Sequence, residues 1–378
     1  MRIKRETIMD EEMRIIISGG GTGGHIFPAV SIANAIKAQC PDAKILFVGA
    51  QNRMEMQRVP AAGYEIKGLP ICGFDRKHLF KNIAVLFKIW KSQRMAKEII
   101  RNFRPLAAVG VGGYASGPTL NQAAAMNIPC LIQEQNSYAG VTNKLLAKKA
   151  KKICVAYDGM ERFFPADKII KTGNPVRQAI LETTISREDA ITNFGFDPKK
   201  KTILIVGGSL GARTINESVL SYLEMIENSN VQFIWQTGKY YYANIKNELK
   251  KRKELKMLYA TDFISDMGEA YKAADLVISR AGASSISEFC LIGKPVILVP
   301  SPNVAEDHQT KNAMALVNKG AALYVKDAES SSVLIPLAIK TVKNDKELED
   351  LSINIKKLGL HDSADIIAKE VISLAQKK

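Results

Sequence analysis

The sequence predicts two α/β domains in tandem, each built on a doubly wound parallel sheet. Three observations predict it. Short apolar runs alternate with helical patterns along 378 residues, and a β-α-β-α order gives parallel strands with helices on both faces. The runs are hydrophobic throughout rather than alternating, as strands covered on both faces must be. One opening, strand then glycine loop then helix, occurs twice, at Gly19 and again at Gly207.

In chain order, residues 13–18 form the first strand, followed by the glycines of residues 19–24 and a helix over 28–38. Strands at 44–49, 107–111, 130–132 and 152–155 continue the first sheet. Gly173-Asn174-Pro175 breaks the pattern. The second series runs 202–206, 232–235, 258–260, 276–279, 295–299 and 322–325, and the tail reads as helices. The expected division is 13–172, 173–345, and a helical segment 346–378 that packs back toward the first domain. Residues 1–12 are charged, lack the apolar core of a signal peptide, and read as an extension outside the fold. The uncharged stretch 105–133 is interrupted by Gly110, Gly112, Gly113, Gly117 and Pro118, so it reads as strand, turn and helix rather than a membrane span.

Composition narrows the function. At 46% hydrophobic and 24% charged, the chain is a globular protein and not a disordered one. Five cysteines without a CxxC pair argue against a disulfide framework or a cysteine zinc site, and four scattered histidines against a metal cluster. Fifty-three Lys and Arg against 38 Asp and Glu leave a charge of +15, a bias toward polyanions such as nucleic acid, acidic lipid or phosphorylated small molecules.

Chemistry concentrates in loops that follow strands. Residues 19–25 read GGGTGGH, with Gly20, Gly21, Thr22, Gly23 and Gly24 leading into a helix. Glycines let the backbone approach a ligand, and N–H groups at a helix start attract phosphate. A dinucleotide site wants an acid at the end of the next strand, which here ends Val48-Gly49-Ala50-Gln51 without one. The loop reads as an anion site, or else as a tight turn. His25 is suited to act as a base near neutral pH, or to orient the loop. GGYASGP at 112–118, with Tyr114 and Ser116, and Gln133-Glu134-Gln135-Asn136 also follow strands. Three loops thus converge on the carboxyl edge, where α/β ligands bind.

In the second half, GGSLGAR at 207–213, containing Ser209, repeats the phosphate-loop chemistry. SRAGASSISE at 279–288 ends a strand and starts a helix, bringing Ala283, Ser284, Ser285 and Glu288. Glu288 is able to hold both hydroxyls of a ribose, or is an ordinary first-turn glutamate. His308 and Gln309 suit sugar hydroxyls, or simply start a polar helix. Between 71 and 104, nine Lys and Arg face two acids, and Leu79, Phe80, Ile83, Leu86, Phe87 and Trp90 recur at helical spacing. This pattern fits an anionic membrane surface, or a core helix with a solvated basic back.

Taken together, the motifs resemble the MurG family of peptidoglycan N-acetylglucosaminyltransferases. The likeness runs through GGGTGGH, GGYASGP, QEQNSYAGVTNK at 133–144, TGNPVR at 172–177, GGSLGAR, SRAGASSISE and EDHQTKNA at 306–313. Seven motifs in this order are specific where one alone is not. Gln133 departs from the histidine that often opens the family's third loop. The resemblance implies the GT-B fold, two Rossmann-like domains with a cleft between them. It implies inverting transfer of GlcNAc from UDP-GlcNAc to lipid I, giving lipid II, a step of cell-wall biogenesis on which cell shape and division depend.

Carried over by motif, Arg177 and Ser209 bind the diphosphate and Ile264 meets the uracil through its backbone. Glu288 holds the ribose, Ala283, Ser284 and Ser285 surround the phosphates, and His308 and Gln309 take the GlcNAc hydroxyls. Gly20–Gly24 take the acceptor pyrophosphate, with Tyr114 and Ser116 beside it; Thr22, Gly23, Gly24 and Asn136 also meet the donor. His25 is the expected base and Glu134 its rival. No metal or tightly bound cofactor is expected. The implied setting is the cytoplasmic face of the bacterial plasma membrane, with the basic helix docking on anionic lipid, other cell-wall synthesis proteins as partners, and no nucleic acid. The rivals are another GT-B enzyme and a non-catalytic nucleotide-sugar-binding subunit. Arg280 and Val296 flank Glu288 where a retaining enzyme's Glu-x7-Glu would need a second glutamate.

Overall fold

The computed structural model describes residues 12–71, 82–208, 210–252 and 255–377. It divides into two compact units. Unit 1 holds the described residues up to Gln135, Ala139–Pro175, and those from Asp362 on; unit 2 holds Asn136–Tyr138 and Val176–His361.

Unit 1 runs β1 (Arg14–Ser18), α1 (Gly23–Gln39), β2 (Lys44–Ala50), α2 (Glu55–Ala61), β3 (Glu65–Leu69), α3 (Asn82–Phe103), β4 (Ala107–Gly110), α4 (Ser116–Ala125), β5 (Cys130–Glu134), α5 (Val141–Leu146), β6 (Lys152–Val155) and β7 (Ile169–Lys171). Its strands pair in parallel in the order β3-β2-β1-β4-β5-β6-β7. Unit 2 runs α6 (Gln178–Leu181), α7 (Arg187–Asn193), β8 (Thr202–Val206), α8 (Arg213–Ser221), α9 (Leu223–Asn228), β9 (Gln232–Gln236), α10 (Tyr242–Lys250), β10 (Leu258–Thr261), α11 (Met267–Ala273), β11 (Leu276–Ser279), α12 (Ala283–Ile292), β12 (Val296–Leu298), α13 (His308–Val317), β13 (Leu323–Tyr324), α14 (Ser330–Val342) and α15 (Asp345–Lys356). Its order is β10-β9-β8-β11-β12-β13, again all parallel. Both sheets therefore reverse strand order beside their first strand, and the ligand crevice of such sheets lies at that point. The expected doubly wound α/β class is borne out twice.

Each sheet is filled from both sides. In β1, Ile16 joins Leu46, Val48, Ile100 and Leu120 on one face. Ile15 and Ile17 join Ile32, Ile36, Phe47, Ile367 and Val371 on the other. In unit 2, Ile203, Ile205, Phe233 and Trp235 meet Ile215, Val219, Leu334 and Ile335 from α8 and α14. Each such side chain contributes roughly 1.5–3 kcal/mol of burial.

Two strands were not legible as continuous apolar runs. β3 (EIKGL) alternates exposed and part-buried positions, and β7 (IIK) is only part-buried, because both lie at sheet edges. Helix α1 begins at Gly23, five residues before the expected start, so its first turn is made of loop glycines. The segment 346–378 divides: α15 packs on α12 within unit 2, whereas α16 (Ser363–Gln376) packs on α1 within unit 1. The expected N-terminal extension lies almost wholly outside the described residues, as do Ser209, Leu79 and Phe80, and the side chains of Ile83 and Leu86.

Burial pushes the thiols of Cys130, Cys154 and Cys290 up to about 12, so they are inert apolar residues. Among the described residues no helix is long and apolar enough to cross a membrane, and no group of three or more His, Cys, Asp or Glu is placed to hold a metal ion.

Candidate active site

In unit 1 the loops after β1 and β4 flank the reversal and lie against each other. Gly20 and Gly21 have φ +153° and +88°, Gly112 and Gly113 +93° and +84°. These are backbone conformations that favour glycine. A Cβ on Gly113 would strike the Gly20 backbone, so glycine is required for the two loops to touch. Thr22 caps α1 with extended backbone but no capping bond from its side chain to the helix backbone, and no acid sits in the first turn. The first N–H groups, including those of Gly23 and Gly24, thus have no intrahelical partner and suit an anion.

His25 sits at the top of this turn, half-buried. Its Nδ1 lies 3.0 Å from Gly20 O and 3.3 Å from Thr22 Oγ1. A carbonyl only accepts, so Nδ1 is the donor in that contact, and in the neutral ring Nε2 is then the acceptor nitrogen. Nε2 lies over Gly112, 2.9 Å from where a Cβ would stand. Tyr114 is 49% exposed beside it in sequence.

Two residues expected at the ligand face inward. Ser116 is fully buried, with Oγ 2.7 Å from Ser18 O and 2.8 Å from Gly112 O, so it ties the two loops together. Glu134 is 1% exposed, and its Oε2 accepts from Gly140 N at 3.0 Å and Asn143 Nδ2 at 2.8 Å. That geometry fits a brace for the loop after β5 better than a base for a substrate hydroxyl. Gln133 donates to Asn174 Oδ1 at 2.9 Å in the same buried network.

The sequence reading missed Glu55. It lies in the first turn of α2, 0% exposed, with Oε1 accepting from Ala50 N at 3.0 Å and Oε2 from Gly21 N at 2.9 Å. An acid does follow β2 after all, but it faces the glycine loop from below. Only its position five residues past Ala50 could have suggested it.

Unit 2 carries the second set. Gly208 (φ +93°) and Gly211 (φ +89°) shape the loop after β8, which packs on Gly238. Gln236 donates to Gly208 O at 3.2 Å and accepts from Ile264 N at 2.9 Å. The Ile264 N–H is therefore already engaged. Helix α12 opens at Ala283, Ser284 and Ser285 with neither a side-chain cap nor an acid in its first turn, and the buried Ser284 Oγ has no hydrogen-bond partner. Glu288 lies a turn further in, so the helix dipole does not account for it.

Glu288 is 4% exposed. Arg177 grips it with two bonds, Nε to Oε1 at 3.0 Å and Nη2 to Oε2 at 3.2 Å, and Tyr271 OH donates to Oε2 at 3.0 Å. Burial pushes the Glu288 carboxyl up, opposed by the Arg177 charge and by these bonds. Burial pushes the Tyr271 hydroxyl up as well, reinforced by the charge of Glu288. Tyr271 was not singled out from the sequence, since nothing in GEAYKAAD marks its hydroxyl.

His308 begins α13 after two left-handed residues, Glu306 (φ 56°) and Asp307 (φ 51°). Strain of about 1–3 kcal/mol per such residue collects at functional sites. Gln309 Oε1 accepts from Ser301 N at 2.9 Å, which directs its amide N–H2 the other way. Asn136 belongs with this unit, and its Oδ1 accepts from Asn312 Nδ2 at 3.1 Å.

Two Rossmann-ordered sheets, each with a glycine loop at its carboxyl edge, one bearing a histidine and the other a buried carboxylate gripped by arginine, define a GT-B glycosyltransferase. Residues 15–155 match the glycosyltransferase family 28 N-terminal domain and residues 202–367 the family 28 C-terminal domain. The chain belongs to glycosyltransferase family 28. Over 98% of both chains it is 70% identical to the UDP-N-acetylglucosamine--N-acetylmuramyl-(pentapeptide) pyrophosphoryl-undecaprenol N-acetylglucosamine transferase of Phocaeicola vulgatus. It is 54% identical to the Porphyromonas gingivalis protein of the same name, over 97% of this chain and 96% of that one. The crystal structure of Acinetobacter baumannii MurG superposes with a TM-score of 0.77 at 28% identity, covering 96% of this chain and 99% of that one. The family resemblance read from the motifs is borne out.

Proposed function

We propose that this protein transfers GlcNAc from UDP-GlcNAc to the C4 hydroxyl of the MurNAc of lipid I, giving lipid II and UDP with inversion at the anomeric carbon. The observation that carries the reading is His25, whose Nδ1 lies 3.0 Å from the Gly20 carbonyl on a glycine turn that opens a helix. The acceptor hydroxyl attacks the anomeric carbon as its proton passes to Nε2. The bond from that carbon to the diphosphate oxygen breaks, and its electron pair leaves with UDP.

Unit 2 holds the donor. The first turn of α12, with Ala283, Ser284 and Ser285, and the second glycine loop, with Ser209, meet the diphosphate and its developing charge. Glu288 accepts from the ribose hydroxyls and shares Arg177 with the diphosphate. Ile264 reads uracil through its carbonyl, and His308 and Gln309 bind the GlcNAc hydroxyls. Gly20–Gly24 take the acceptor pyrophosphate with Tyr114 beside them, while Thr22, Gly23, Gly24 and Asn136 complete the donor contacts. This chemistry calls for no tightly bound metal or cofactor.

The protein works at the cytoplasmic face of the plasma membrane, beside other cell-wall synthesis proteins. Support for docking comes from α3, where Phe87 and Trp90 are 64% and 59% exposed with rings 5.9 Å apart, next to exposed Lys88, Lys91 and Arg94. Amphipathic rings and cations together suit an anionic interface. Trp90→Ser should cut sedimentation with anionic vesicles several-fold while leaving UDP-GlcNAc binding unchanged.

The test is incubation with labelled UDP-GlcNAc and a lipid I analogue. Disaccharide product of inverted configuration supports the reading. UDP-GlcNAc binding without transfer to that acceptor contradicts it.

A further inference from the structure

We propose that Glu55 is a positioning residue of the transfer site, holding and polarising His25 through the single peptide group that joins Gly20 to Gly21. It rests on the reading of His25 as the base.

The two ends of one amide carry the link. Its carbonyl, Gly20 O, accepts from His25 Nδ1 at 3.0 Å. Its N–H, on Gly21, donates to Glu55 Oε2 at 2.9 Å. A charged acceptor on the N–H draws electron density toward the carbonyl, which then holds Nδ1–H more firmly. This is the familiar arrangement of an acid orienting a catalytic imidazole, with one amide inserted between them. When Nε2 takes the proton of the acceptor hydroxyl, the imidazolium strengthens its bond to Gly20 O. Glu55 acts through the peptide group, and no proton crosses it.

The slot is built for this side chain. Glu55 is fully buried, and its second oxygen is fixed by Ala50 N at 3.0 Å. A Cβ on Gly49 would stand 2.7 Å from Glu55 Cγ, and one on Gly20 would collide with the carboxylate. A loop that served only to bind an anion would lose by having a buried negative charge beneath it and one N–H turned inward. A loop that must also orient a base gains from both.

The first experiment is nitrogen-15 NMR of the full-length protein with labelled histidine, the His25 signals being assigned by their loss in His25→Ala. The expected wild-type spectrum shows Nδ1 protonated and Nε2 bare. In Glu55→Gln, one amide face meets a backbone N–H it cannot accept. The tautomer should shift toward Nε2–H, and kcat should fall about 10- to 100-fold with the UDP-GlcNAc KM within about twofold. A wild-type imidazole protonated on Nε2 overturns the proposal without any variant, so an unfolded Glu55→Gln protein leaves it testable. An unchanged tautomer and kcat in a folded Glu55→Gln protein overturn it too. Wild-type turnover in His25→Ala would overturn the base reading and the catalytic consequence with it, while the tautomer still reports whether Glu55 acts on His25.

Discussion

The two glycine loops share a backbone plan and differ in what supports them. Beneath the first, the Glu55 carboxylate accepts an N–H of the loop; beneath the second, the Gln236 amide donates to a carbonyl of the loop. Fixing an N–H from below turns a carbonyl toward His25. Fixing a carbonyl from below suits a loop proposed to present N–H groups to a diphosphate. On the proposed reading, one loop is thereby set up to orient a base, and the other to receive a leaving group. The supports, not the glycines, separate the two roles.

The comparison breaks most sharply at two glycines of equal φ, one in the β4 loop that packs on the first glycine loop and one in the second glycine loop itself. Gly112 and Gly208 both have φ +93°, yet a Cβ at 112 meets His25 Nε2 whereas one at 208 meets nothing within 4 Å. Gly112→Ala should lower kcat about 100-fold, since a base displaced by about 1 Å costs that much. Gly208→Ala carries only backbone strain of about 1–2 kcal/mol. It should raise the UDP-GlcNAc KM several-fold at nearly constant kcat. Steady-state kinetics on the pair checks both.

Next in size is Glu288→Ala, which removes the proposed ribose acceptor and the carboxylate that Arg177 grips. The loss of about 2–2.7 kcal/mol should cut kcat/KM for UDP-GlcNAc roughly 30- to 100-fold. Tyr271→Phe removes one supporting bond and should raise that KM roughly 3- to 10-fold, leaving the acceptor KM in place; donor titration in both variants measures it.

The smallest effect reaches stability alone. Lys294, at the opposite edge of the second sheet, donates to Ala274 O at 2.6 Å, and burial lowers its pKa to about 8 against the nearby Asp275. Below pH 8 both folded and unfolded chains hold the proton, and its burial costs stability. Between pH 8 and the unfolded value of 10.5 the unfolded chain binds more protons, so stability rises with pH, by up to about 3 kcal/mol. The urea midpoint of unit 2 should rise with pH over that window in the native protein and not in Lys294→Met, with transfer unaffected.

The central strands and the loops that follow them were legible because full burial leaves an uninterrupted apolar run, and a glycine cluster after it marks the crevice. The edge strands β3 and β7 were not, since half-exposed residues carry no such signal. Site residues divide in the same way. His25, Arg177 and Glu288 could be singled out by residue type in motifs that directly follow strands. Glu55 and Tyr271 act on a backbone N–H and a carboxylate brought near only by folding, so spacing is silent about them. Ser116 and Glu134 show the converse: polar residues in the right loop that turned inward to brace it.

The most direct measurement of the central claim, that unit 1 activates the acceptor while unit 2 holds the donor, is His25→Ala assayed for transfer and, by calorimetry, for UDP-GlcNAc binding. The account predicts a kcat lower by about 10²- to 10⁴-fold with donor affinity unchanged. Transfer near the wild-type rate, or donor affinity lost along with turnover, would contradict it.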